Sequence, residues 1–297
     1  MKLELLLSGQ LFFSALVTGA VYVLIGLGLN LVFGTMRLLN IAHGEMAMIG
    51  AYLAYWLFAL WGVSPLVSML LAAAVTAAFG AAVYKGIFRG LLASNMTLVR
   101  LEANSLLVFL GIAIILQNAA ILIFTGSPRA YQYMDTMLHV GGVALTQNRL
   151  IVLLVAAVIG VLITLFLRFN IYGLAINAFI QNRQAAMMMG VNVDKIQLMA
   201  FCVGFGSAGL AGALLSMLEQ VSPYMGFSFT IIAFVMVILG GLGNVFGGMV
   251  AGLLLGILET YGVAFTSPSF QLVLIYGVFV LVLVFRPEGL ASMGRRL

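Results

Sequence analysis

Few residues in this chain could do chemistry, and the densest group lies in Leu39-Asn40-Ile41-Ala42-His43-Gly44-Glu45-Met46. Asn40, His43 and Glu45 fall near the start of an apolar run. A carboxylate in hydrocarbon is costly, so Glu45 is expected to face protein or water. Two readings stand beside each other: a helix–helix hydrogen bond that fixes packing, and a substrate path or gate. One isolated carboxylate makes a poor proton relay. His43 and Glu45 are two positions apart and do not share a helix face. With no paired carboxylates, no histidine cluster and no nucleophile constellation, the chain does not read as an enzyme. The lone Cys202 supports neither an internal disulfide nor a metal cage.

A second polar pair, Gln117-Asn118, interrupts another apolar run, and it reads equally as interhelical hydrogen bonding or as part of a translocation path. Gly240-Gly241-Leu242-Gly243-Asn244 breaks the long apolar stretch from Thr230 to Tyr261. Broken helices survive in a membrane only where protein shields them or where they line a cavity. Gly240, Gly241, Gly243 and Asn244 therefore join Asn40, His43, Glu45, Gln117 and Asn118 as candidates for a path or gate. Asn30-Leu31-Val32-Phe33-Gly34 is similar to Asn244-Val245-Phe246-Gly247, a short hint of internal repetition. Gly248, Gly252 and Gly256 lie one helical turn apart, as do Gly204, Ala208 and Gly212, and such stripes let helices approach closely.

These residues need elements to hold them. Of 297 residues, 64% are hydrophobic and 7% charged, with a mean hydropathy of +1.22. A soluble fold carries roughly 25% charged residues, so this chain uses lipid as its solvent. That excludes a cytosolic enzyme, a nucleic-acid-binding domain and a secreted disulfide scaffold. The net charge of +5 is spread along the chain and reads as membrane orientation. A span needs about 20 apolar residues. Spans are predicted over 10–33, 38–60, 65–84, 105–124, 150–167 and 198–217. Two more divide 230–261, and the last covers 271–285. The fold class is an all-α, polytopic membrane protein with eight or nine transmembrane helices, one or two of them broken, in one permease domain over 1–297. Arg37, Lys85, Arg89, Arg100, Arg168, Arg183, Lys195, Arg286, Arg295 and Arg296 share one set of connections; Lys2, Arg129 and Arg149 fall in the other. The richer set is cytoplasmic. Nine crossings put the N-terminus outside, and eight put it inside.

The largest cytoplasmic connection, about 168–197, mixes Leu174, Ala175, Ala178 and Phe179 with Asn177, Gln181, Asn182, Arg183 and Gln184. That spacing predicts a short amphipathic helix stopped by Gly190. It suits either a helix in the lipid interface or one that docks into a partner's groove. Gln184-Ala185-Ala186, then Gly190, has the spacing of the Glu-Ala-Ala loop of ABC importer permeases, the loop that sits on the ATPase.

Taken together, Asn40-Ile41-Ala42-His43-Gly44-Glu45, Gly50-Ala51-Tyr52, Leu116-Gln117-Asn118, Gly190-Val191-Asn192, Leu239-Gly240-Gly241-Leu242-Gly243-Asn244 and Arg286-Pro287-Glu288-Gly289-Leu290 resemble the permease subunits of branched-chain amino acid ABC importers, of the shorter type. The resemblance covers nearly the whole chain. It implies a second, similar permease, cytoplasmic ATP-binding subunits and an extracytoplasmic solute-binding protein. It also implies a bacterial plasma (inner) membrane location and a coupling loop built on Phe179, Arg183, Gln184, Ala185, Ala186 and Gly190. ATP belongs to the partner: Lys2, Lys85 and Lys195 follow Met, Tyr and Asp, whereas a P-loop needs Gly before Lys. No cofactor, metal or nucleic acid is expected in this chain. Gln184, Asn177 and Asn182 stand where the family usually carries charge, so docking should rely more on packing. Related permeases carry urea, short amides or aromatic acids, and a stand-alone secondary transporter is the remaining alternative.

Overall fold

The computed structural model describes residues 8–94, 96–140 and 143–285. Lys2, Arg295, Arg296 and the 286–290 motif lie outside them. Ser8 caps α1 (Gly9–Met36) by accepting from the Leu11 N–H. Then come α2 (His43–Trp61) and α3 (Pro65–Val83), the latter started by a Ser64 cap and a first-turn proline. A π-helical turn, Tyr84–Phe88, leads into α4 (Arg89–Ala93), so the third rod runs further than its predicted end. α5 (Leu98–Phe124) is followed by an outer hairpin, β1 (Met137–Val140) with β2 (Val143–Thr146), paired antiparallel from Met137↔Thr146 to Val140↔Val143. The chain continues as α6 (Gln147–Phe169), α7 (Ile171–Gln181), α8 (Arg183–Met188), α9 (Val193–Leu215), α10 (Met225–Gly240), α11 (Val245–Phe265) and α12 (Gln271–Phe285).

Six of these are long and apolar enough to cross a membrane: α1, the α3–α4 rod, α5, α6, α9 and α11. α2, α10 and α12 complete the bundle. α1 and α9 form its centre, while α5 and α6 stand at the rim with most of their length uncovered. The sequence explains that centre. α9 carries Gly204, Gly206, Gly209 and Gly212, and each meets a neighbour: Gly204 the Gly28 backbone, Gly206 the Ala73 carbonyl, Gly209 the Thr76 side chain, Gly212 the Ala47 carbonyl. Gly252 and Gly256 of α11 press in the same way on α1 at Val23 and Gly19. The small-residue stripes are thus packing faces.

Arg149 reaches Ser14 at 2.7 Å, near the start of α1. Arg129 bridges through its backbone to Val221, and Asn148 donates to the Met217 carbonyl, which gathers these loops at one end. The opposite end holds the Arg89–Asp194 ion pair at 3.2 Å and Lys195 against Tyr172. The N-terminal end of α1 therefore lies on the Arg129 and Arg149 face, as nine crossings require.

Candidate translocation site and coupling surface

The junction between α1 and α2 differs from its prediction. The second span was expected from Leu38, but α1 ends with Arg37 in a left-handed conformation (φ 55°), and the chain turns back without helix until His43. Leu38, Asn40 and Ala42 are fully buried in this stretch. His43 Nε2 lies 2.8 Å from the carbonyl of Ile25. Ile25 is eleven residues before Met36, so the turn-back reaches about 16 Å along α1. Backbone of this kind persists at membrane depth only inside protein. Thr230 of α10 holds it: its hydroxyl donates to the Ile41 carbonyl at 2.9 Å and accepts from the Gly44 N–H at 2.9 Å.

The three residues singled out here come together, and all are buried. A carbonyl only accepts, so His43 Nε2 carries a proton, and Nδ1 is buried without a partner. Both polar atoms of the Asn40 side chain are buried without a partner among the described residues, and so is Glu45 Oε2. Glu45 faces Gly226, where any side chain would overlap its carboxylate. Buried unsatisfied polar atoms cost about 1–3 kcal/mol each. Four such atoms, among the described residues, lie in this one patch.

The second break is built from glycine. Gly241 and Gly243 hold φ of 90° and 79°, which side chains resist. Gly240 lies so close to the Gly247–Gly248 backbone that a Cβ has no room. Asn244 caps α11 by accepting from the Gly247 N–H at 3.0 Å, and its own carbonyl accepts from Asn30 Nδ2 at 2.8 Å.

Both breaks border one cleft of about 210 Å³. Leu29 and Phe33 of α1, Leu39 of the turn-back and Leu242 of the second break form part of its wall. Phe234, Val237 and Ile238 of α10 and Glu102 of α5 complete it. Gln117 and Asn118 stay apart. Asn118 is exposed on α5, with its amide donating to the Ile114 carbonyl of its own helix at 2.8 Å, and Gln117 is half-buried. Glu102, Thr230 and Ile180 take part without having been singled out. Glu102 reads as a solvated helix end beside Arg100, and Thr230 and Ile180 as ordinary members of apolar runs.

On the cytoplasmic side, the one predicted amphipathic helix is two, α7 and α8, separated at Asn182, which is extended and caps α8 through the Ala185 N–H at 3.0 Å. Gly190, at φ 84°, ends α8 as expected: its N–H bonds the Met187 carbonyl, and the Val191 N–H bonds that of Ala186. Phe179 and Ala186 face inward, while Arg183, Gln184, Ala185 and Gly190 are exposed, as are Met187, Met188 and Met189. The Arg183 guanidinium lies 5.6 Å from the centre of the Phe179 ring. Asn177 has a structural task, since its amide donates to the Leu167 carbonyl at the end of α6. Ile180 of α7 sits against both Gly34 and Gly243.

On the outer face, Tyr131 bonds Ser216 at 2.8 Å and lies against Tyr55 and Phe58 of α2. Burial pushes its hydroxyl up to about 12, so it stays protonated.

Residues 11–283 match the family described as the permease component of the branched-chain amino acid transport system. The chain belongs to this permease family. It is 31% identical to the high-affinity branched-chain amino acid transport system permease protein BraD of Pseudomonas aeruginosa, over 95% of this chain and 94% of that protein. It is 28% identical to the permease protein LivH of Escherichia coli K12, again over 95% and 94%. The permease protein LivM of Salmonella typhimurium is 28% identical over 93% of this chain and 68% of its own length. No solved structure matches. The chain is thus a transport component rather than an enzyme, and a multi-pass protein of the inner membrane.

Proposed function

We propose that this single permease domain is one half of the membrane pore of an ATP-driven importer for branched-chain amino acids. It works with a second, similar permease, cytoplasmic ATP-binding subunits and an extracytoplasmic solute-binding protein. The exposed face of α8, with Gln184, Ala185 and Met188, is its docking surface for the ATPase. The turn-back at Asn40, His43 and Glu45 and the break at 240–244 act as the gate.

The observation that supports this most directly is the position of Ile180. It belongs to the cytoplasmic α7–α8 element, yet it touches Gly34 and Gly243 at the break. A push on α8 therefore reaches the cleft through one contact. Gates need an element with two arrangements, and a helix interrupted by two left-handed glycines supplies one.

The test is reconstitution of the complex that co-purifies with this chain, followed by L-leucine uptake into proteoliposomes. With the solute-binding protein on the opposite side, ATP on the side of the ATP-binding subunits should drive uptake, and a non-hydrolysable analogue should not. Uptake that proceeds without any co-purifying ATPase would establish a stand-alone carrier instead.

A further inference from the structure

We propose that the cleft between α1, α5 and α10 is an inner subsite for a zwitterionic amino acid with an apolar side chain, and that Glu102 holds its ammonium group. This rests on the import reading above and gives that path a specific station.

The wall is apolar apart from one residue. Phe234, Val237 and Ile238 face Leu29 and Phe33, and Glu102 brings a carboxylate to the same space. About 210 Å³ is below the roughly 300–1,000 Å³ of pockets for drug-sized molecules and suits a small metabolite. Glu102 is half-buried, and among the described residues its side chain has no ion-pair or hydrogen-bond partner. A carboxylate beside apolar walls gains most from a cation that arrives with its own apolar body, because the pair then excludes water. Urea and short amides bring neither charge nor apolar surface, and an acid without an ammonium is repelled. Leu242 of the wall lies three residues before the start of α11 at Val245, so the positive end of that helix dipole lies close in sequence to the cleft. The subsite also lies where a gate would need it, bordered by Leu39 next to Asn40 and by Leu242 inside the second break.

A primary ammonium on an apolar body has a second source, the headgroup of phosphatidylethanolamine, and the experiment separates the two. The complex that co-purifies with the chain is placed in nanodiscs of phosphatidylcholine and phosphatidylglycerol, without the solute-binding protein. Binding of radiolabelled L-leucine is then measured. Isoamylamine, which keeps the ammonium, should compete, and 4-methylpentanoate, which keeps only the carboxylate, should not. Glu102→Gln should weaken L-leucine binding about 10-fold or more, the scale of a lost charge-assisted hydrogen bond. It should also erase the preference for the amine, and Glu102→Asp should restore part of both. Equal recovery of assembled complex shows that the variants fold. L-leucine binding within twofold of wild type in Glu102→Gln would overturn the proposal. So would a Glu102 effect seen only when phosphatidylethanolamine is included, which would assign the carboxylate to lipid. If the wild-type complex imports L-leucine in the proteoliposome assay above while Glu102→Gln leaves nanodisc binding unchanged, the subsite alone fails. If the wild type imports none in proteoliposomes with the solute-binding protein present, the import reading fails first.

Discussion

The side-chain amide of Asn30 donates to the backbone carbonyl of Asn244 across 2.8 Å, joining α1 to the last residue of the helix break. The two asparagines open the matching stretches Asn30-Leu31-Val32-Phe33-Gly34 and Asn244-Val245-Phe246-Gly247, so the segments that echo each other in sequence touch in the fold. Four residues on, Gly34 lies against Gly243, with Ile180 packed over both. The inner end of α1, the break and the α7–α8 element thus meet at one point. Among the described residues, one side-chain hydrogen bond links α1 to the break there, and its net worth is about 1 kcal/mol.

Asn30→Leu removes that bond but leaves the Asn244 carbonyl its helical partner, the Gly248 N–H at 2.9 Å. Asn244→Ala keeps the bond, which uses the backbone, and removes the cap. Expected losses in the unfolding free energy of the detergent-solubilised protein are about 1 kcal/mol for the first and about 0.5–2 for the second. Because different atoms are involved, the double variant should be additive within about 0.5 kcal/mol. A coupling well above that would mean that losing the cap rearranges the break.

Glycines of this chain divide into two groups that substitution should separate. A Cβ at Gly50 would strike the Gly209 backbone, and one at Gly212 the Ala47 carbonyl. Gly111 and Gly86 have open space. Gly50→Ala and Gly212→Ala should cost about 1–3 kcal/mol or more through overpacking. Gly111→Ala should be neutral or stabilise by up to about 1 kcal/mol through helix propensity. Thermal unfolding of the three single variants checks the order, and a stable Gly50→Ala would refute the close α2–α9 crossing.

Most spans were legible because a continuous apolar run of about 20 residues has one solution in lipid. The turn-back was not. Leu38, Leu39, Ile41 and Ala42 look alike whether they lie in a helix or beside one, and what unwinds them is distant, the Thr230 hydroxyl on Ile41 and Gly44. Glu259 is not marked by its sequence neighbourhood either. It is buried near the end of α11, accepting from the Tyr22 hydroxyl at 2.5 Å and the Gln271 amide at 2.6 Å. The split at Asn182 hid behind a periodicity that runs through both short helices, and Glu102 was masked by its charged neighbourhood. Local pattern shows which residues are in lipid or protein, whereas partners from other helices decide which polar ones are used.

Ile180→Ala should leave the coupling surface intact and lose the contact that carries its motion. The ATPase should still co-purify, and ATP hydrolysis should continue while L-leucine uptake falls several-fold. Gly190→Pro should act earlier. Proline fixes φ near −65°, whereas Gly190 sits at 84°, and proline also removes the N–H that bonds the Met187 carbonyl. ATPase recovery in a pull-down should fall, and unchanged recovery would remove α8 as the docking element. If Ile180→Ala retained full uptake, the route through Gly34 and Gly243 would be wrong.

Glu45 offers the sharpest choice between packing and transport. It is 2% exposed, with Oε2 unpartnered against Gly226. Glu45→Gln keeps the volume and exchanges one carboxylate oxygen for a donor group, so a packing role would survive it. A role in the gate depends on the negative charge or on acceptor-only chemistry, and neither survives. The expected result is an initial rate of ATP-driven L-leucine uptake reduced about 10-fold, with the complex recovered in normal amount. Gly226→Ala serves as the contrast. Its new methyl would overlap the Glu45 carboxylate, so it should lower the yield of folded protein together with uptake. Normal uptake in Glu45→Gln would make the carboxylate a packing group and leave the second break, with Gly241 and Gly243 at positive φ, as the proposed gate.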